Sequence, residues 1–237
     1  MIEEFITELK NSSYYERMFR DHNVIMIYVG GSRIINITDE RSDYDLVVVT
    51  DNSTSDYEPD EFFTYKDLKV HWYYRSLSQF IEKCDNPRTI GCFNGVLFAN
   101  LTDEVIIYEG SKYKRIIDYL KSVRDRIGKV STYLLLNSKK QLVESILNAG
   151  EVLEEHYTKY LYYLCYASYY IMGEEPNKDF LATIKRIRWQ PVSDKYKKLI
   201  VERIGYLDAY VSQNSFDISG TINYLDTNLD YLIKSIG

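Results

Sequence analysis

Two short apolar runs and the polar residues at their ends constrain this chain more than anything else in it. Residues 24–29 read VIMIYV and run into Gly30-Gly31-Ser32-Arg33; residues 46–49 read LVVV and are led in by Ser42-Asp43-Tyr44-Asp45. Branched, apolar and bounded by glycine or charge, both runs have the pattern of strands, the first ending in a tight loop. Alternate residues of a strand face the same way, so Asp43 and Asp45 point together, about 6–7 Å apart, with Tyr44 opposed. Two carboxylates held like that repel. A hard divalent cation between them relieves the repulsion, and Mg²⁺ takes one or two protein carboxylates together with phosphate oxygens and water. Gly31 and Ser32 supply the complementary half. A loop without a β-carbon lets backbone N–H groups approach a polyphosphate, and a serine hydroxyl adds a donor. Together these features describe a metal–nucleotide site.

The remaining elements follow from spacing. Residues 3–20 read as helical with a break near Asn11-Ser12-Ser13, and 51–61 as a polar loop. Residues 68–75 read as a third strand, and Ser76 is placed to cap a helix over 77–84. A short last strand is expected over 104–108, before Gly110; residues 87–100 fit no single pattern. From Lys112 the period becomes helical: Tyr113, Ile116, Ile117 and Leu120 share a face, as do Leu135, Leu142, Val143 and Ile146. Residues 151–172 read as a long aromatic helix stopped by Gly173 and Pro176.

Charge divides the chain at the same place. Residues 1–110 carry 10 Lys and Arg against 20 Asp and Glu, and residues 111–237 carry 19 against 15, so the halves stand at net −10 and +4. We therefore expect a first domain over 1–110 and an α-helical domain over 111–237. A pI near 5.2 argues against a general nucleic-acid coat. The basic cluster Lys185, Arg186, Arg188, Lys195, Lys197 and Lys198 reads equally as a surface for a phosphate-rich acceptor such as RNA and as a solvated helix face. No apolar run approaches the roughly 20 residues of a membrane span, so no membrane partner is expected. Cys84, Cys92 and Cys165 make an odd count without metal-like spacing, and no basic-then-apolar leader opens the chain. Reduced thiols and a cytoplasmic location are the expectation.

Gly31-Ser32-Arg33, then Ser42-Asp43-Tyr44-Asp45 running straight into an apolar strand, resembles the signature of the polymerase-beta-like nucleotidyltransferase superfamily, and within it the minimal and predicted bacterial and phage members. The likeness covers residues 20–110 well. It is weaker over 155–195, where Lys159-Tyr-Leu-Tyr-Tyr-Leu164 and Trp189-Gln-Pro-Val192 look like one uncharacterised branch of such proteins. The resemblance implies an α+β fold: a mixed β-sheet with flanking helices, followed by a helical C-terminal domain. It also implies a reaction, attack of an acceptor oxygen on the α-phosphate of a nucleoside triphosphate with pyrophosphate leaving. AMP is the expected group and Mg²⁺ or Mn²⁺ the cofactor. In that scheme Asp43 and Asp45 hold the metal, Gly31, Ser32 and Arg33 contact the β- and γ-phosphates, and Ser42 and Lys159 belong to the nucleotide-binding set.

The superfamily's third metal-binding acid lies on a later strand between apolar residues. In the matching segment, Lys69-Val70-His71-Trp72-Tyr73-Tyr74, His71 stands in its place. Imidazole suits Mn²⁺ better than Mg²⁺, and it can also take a proton from the acceptor as a general base. Asp67 shares His71's strand parity but lies about 13 Å away. Glu144, Glu151, Glu154 and Glu155 are further candidates for activating an acceptor, on a stretch that reads more simply as a solvated helix face. Two expectations stand: a nucleotidyltransferase whose acceptor is a small molecule, a protein or RNA, or a non-catalytic nucleotide- or partner-binding protein that kept the fold and lost the third acid.

Overall fold

The computed structural model describes residues 2–31, 42–51, 53–59, 62–85, 106–122, 128–129, 132, 155–175, 177–186, 193–213 and 219–220. These fall into two compact units, one holding the described residues up to 122 and the other those from 128 onward.

The first unit is built on a five-stranded mixed sheet in the order β3-β4-β2-β1-β5, where β1 is Val24–Val29, β2 Tyr44–Thr50, β3 Phe63–Tyr65, β4 Leu68–Ser76 and β5 Ile106–Glu109. Only β2 and β4 run parallel; the other neighbours are antiparallel. With helices on the sheet, the class is α+β, as expected. Helices α1 (Ile2–Lys10) and α2 (Ser13–Phe19) are separated at Asn11-Ser12, where the Ser12 hydroxyl accepts from the Tyr15 amide and caps α2. They lay Phe5, Leu9 and Met18 against Tyr44, Leu46, Val48, Val70, Trp72 and Tyr74. Phe5 stacks on Tyr44 at 3.9 Å between ring centroids. Each large side chain buried this way contributes about 1.5–3 kcal/mol from area alone. Helix α3 (Leu77–Asp85) and the helical segment 113–122 cover the opposite face, where Leu77, Phe80, Ile81, Ile116 and Leu120 meet Met26, Tyr28 and Val49. The helical spacing that begins at Lys112 therefore opens with a helix of the sheet unit. Strand β1 lies between β2 and β5, with helices on both faces, and is buried along its whole length.

The described residues 53–59 do more than loop. Tyr57 exchanges backbone hydrogen bonds with Tyr74, N–H to carbonyl at 3.3 and 2.8 Å, and stacks on its ring, so the segment runs antiparallel along β4. Beyond it β3 closes a two-residue hairpin onto β4 through Lys66 and Asp67, at φ 46° and 66°. Asp67 is thus a turn residue and not, as its parity suggested, part of the strand that carries His71.

The second unit contains α4 (Glu155–Met172), α5 (Lys178–Arg186) and α6 (Asp194–Gln213). Gly173, at φ 68°, ends α4, with its amide bonded to Tyr170 O and the Glu174 amide to Tyr169 O. The buried face of α4 includes Leu161, Tyr162, Cys165, Ser168 and Tyr169. Arg203 of α6 lies over the Tyr169 ring at 3.5 Å, donates to Ser168 Oγ at 2.8 Å and pairs with Glu174 at 2.6 Å. None of the described helices is long and apolar enough to cross a membrane.

Candidate functional site

Alternation along β2 decides where its acids go. Tyr44, Leu46 and Val48 fill the core under α1 and α2, which leaves Asp43 and Asp45 to the other side, the first exposed and the second half-buried. Asp45 is in register with His71 on β4, and Val47 with Tyr73, so the two strands present Asp45, His71 and Tyr73 on one face. His71 sits between carboxylates. Its Nε2 is 4.0 Å from Asp43 Oδ2, and its Nδ1 is 3.5 Å from Glu58 Oε1. Both carboxylates only accept when ionised, and the nearer of them, Glu58, draws the proton of a neutral imidazole to Nδ1. The Nε2 lone pair then stands on the Asp43 side, where it can take a proton or hold a transition metal.

Glu58 was absent from the sequence reading. The Tyr57–Tyr74 pairing brings it here: Tyr57 stacks on Tyr74 at one face, and the next residue turns to the other. The signal is the alternating Asp56-Tyr57-Glu58 inside a stretch taken for a polar loop. Asp56, on the same side as Glu58, accepts from the Ser76 amide at 3.2 Å and lies 3.6 Å from Arg75 Nε, which ties the segment to the end of β4. Burial pushes the Tyr73 phenol above its ordinary range, and the Asp45 and Glu58 charges add to the shift while Arg75 opposes it. The phenol therefore holds its proton more tightly than an exposed tyrosine does.

On the other side of β2, the end of β1 supplies the glycine turn. The Gly30 amide donates to Asp45 O at 2.6 Å, which fixes the turn against the acid-bearing strand. Gly31 has φ 62°, and a Cβ built on it would fall on Asp45 Oδ2. A side chain there would strain the backbone and push the Asp45 carboxylate aside, so glycine is favoured on both counts.

Asp43 and Asp45 are the carboxylates through which a hard divalent ion would be held here, with the Asp45 carboxylate set directly over Gly31. Among the described residues no three His, Cys, Asp or Glu side chains form a metal-holding group. Ser42 is half-buried beside Asp43. Ser32, Arg33, Glu144, Glu151 and Glu154 lie outside the described residues, and so do the side chains of Lys159 and Glu155 on α4. Of the basic cluster, Lys197 and Lys198 on α6 have local acidic partners, Asp194 at 4.0 Å and Glu202 at 3.9 Å. Arg188 and Trp189 lie outside the described residues.

No protein-family model matches the chain, and no curated protein matches it. Among solved structures it is similar to a nucleotidyltransferase-like protein from Exiguobacterium sibiricum 255-15, at 12% identity and a TM-score of 0.36, over 96% of this chain and 89% of that one.

Proposed function

We propose that the chain transfers a nucleoside monophosphate, AMP in the first instance, from a nucleoside triphosphate to an acceptor hydroxyl with release of pyrophosphate. The observation that carries this reading is the opposition of the Asp43–Asp45 pair and the glycine turn, with Asp45 Oδ2 set over Gly31. The backbone amide of Gly31, with Ser32 and Arg33, would bind the β- and γ-phosphates; Ser42 and Lys159 complete the proposed nucleotide-binding set. Mg²⁺ or Mn²⁺ on Asp43 and Asp45 would supply neutralising charge for the leaving pyrophosphate. The acceptor oxygen forms a bond to the α-phosphorus as the α–β bridging P–O bond breaks, and pyrophosphate leaves with the electron pair. His71 Nε2 takes the acceptor's proton, with Glu58 holding Nδ1–H so that Nε2 is the basic nitrogen.

A second reading, nucleotide binding without transfer, is favoured by one observation: a histidine and not a carboxylate is registered opposite Asp45. Pyrophosphate release separates the two. With Mg²⁺ or Mn²⁺ and a panel of hydroxyl acceptors, we expect release that chelation abolishes and that His71→Ala lowers at least about 100-fold, the ordinary weight of a general base. Triphosphate binding without release from any acceptor supports the second reading.

A further inference from the structure

We propose that the acceptor is a nucleoside phosphate whose base stacks on Phe62 and whose phosphate meets Lys69. The proposal rests on the transferase reading and names the substrate class on its acceptor side. Strand order separates two approaches to the carboxylate pair on β2. The glycine turn lies at the end of β1 on one side; β4 with His71, and Phe62 just before β3, lie on the other. Phosphates held at the glycine turn leave the β3–β4 side to the acceptor.

On that side the side chains are specific. Phe63 is registered opposite Val70 and packs into the core under α1 and α2, so alternation turns Phe62 to the face shared by Lys69 and His71. Phe62 is 42% exposed, one of the few large apolar side chains so placed among the described residues. Its ring centroid is 4.9 Å from the His71 ring, and Lys69 Nζ lies 5.5 Å from it. Phe5, Tyr14, Phe63 and Tyr65 already supply the aromatic packing at this end of the sheet, so Phe62 is not needed for the core. An exposed ring offers a stacking surface for a base, a neighbouring ammonium offers a partner for phosphate, and His71 stands within reach of a hydroxyl between them. A nucleoside phosphate carries all three groups. A tyrosyl side chain carries a ring and a hydroxyl but no anion for Lys69.

The test fills the first site with Mn²⁺ and a non-hydrolysable ATP analogue, then titrates AMP, ribose 5-phosphate, adenosine and N-acetyltyrosinamide. AMP is expected to bind more tightly than the other three. Phe62→Ala should weaken AMP about tenfold, to the level of ribose 5-phosphate, while Phe62→Trp retains it, as base stacking requires. Lys69→Ala should weaken AMP and leave adenosine as it was. The proposal is overturned if AMP does not bind, if ribose 5-phosphate or N-acetyltyrosinamide binds as well as AMP, or if Phe62→Ala, folded by circular dichroism, binds AMP like the wild type. Failure of the transferase reading shows separately, as a wild type that takes up no Mn²⁺–triphosphate analogue. The Phe62 and Lys69 comparisons with AMP then still decide the platform.

Discussion

Gly31 concentrates the demands of the site in one residue. Its left-handed backbone costs a residue with a side chain about 1–2 kcal/mol, and a Cβ would displace the Asp45 carboxylate. Gly31→Ala is therefore expected to lower the melting temperature and to weaken triphosphate binding more than tenfold. Gly30→Ala, whose Cβ would press on the Val47 methyl at 3.1 Å and otherwise make ordinary contacts, is the milder control. Calorimetry and thermal unfolding of both variants check this, and equal effects from the two would contradict it. At this scale the sequence was readable where chemistry is local. Asp43-Tyr44-Asp45 declares its geometry through strand alternation alone, and His71 was singled out by the family resemblance, as the residue standing in the place of the third acid. Glu58 could not be found that way. Its place beside His71 depends on a pairing between residues 57 and 74, and nothing within the polar stretch 51–61 specifies that partner.

Among elements, the strongly apolar ones were legible and the short edge was not. Strands β1, β2 and β4 and helix α3 fall within a residue or two of their expected bounds, because each carries a continuous or alternating apolar pattern long enough to stand out. The last strand was expected over 104–108; the described strand is Ile106–Glu109. Strand β3 escaped notice because it has three residues and its turn, Lys66-Asp67, lacks the glycine that marks a tight hairpin. Both turn residues adopt positive φ, and Lys66 is committed to Glu4 of α1 at 2.8 Å. Asp67 is the replaceable one. Asp67→Gly should stabilise the protein by about 0.5–1 kcal/mol by removing a left-handed non-glycine residue. Urea unfolding measures it, and a loss of stability would mean that the Asp67 side chain contributes more to the turn than its backbone costs.

Over the whole molecule, aromatic burial sets the response to pH. Burial raises the phenols of Tyr15, Tyr73 and Tyr74 in the sheet unit and of Tyr166 and Tyr169 in the helical unit, and pushes the Cys165 thiol up to about 12. The unfolded chain releases these protons near their ordinary values, 10.0 for tyrosine and 9.0 for cysteine, while the folded chain keeps them. Above about pH 9 the unfolded state therefore binds fewer protons, and stability falls as pH rises. Urea midpoints between pH 7 and 11 should be flat at first and then decline; a curve flat to pH 11 would contradict the burial described here. The composition showed the 24 tyrosines but not which of them the fold encloses. Nor does charge balance alone say what the acidic half binds, and that is decided on the intact protein by calorimetric titration of Mn²⁺ with a non-hydrolysable triphosphate, for the wild type and for Asp43→Asn with Asp45→Asn. The expected result is metal-dependent binding by the wild type and none by the double variant, which keeps its fold and melts no lower because the carboxylate repulsion is gone. Undiminished binding by the double variant would contradict the site itself.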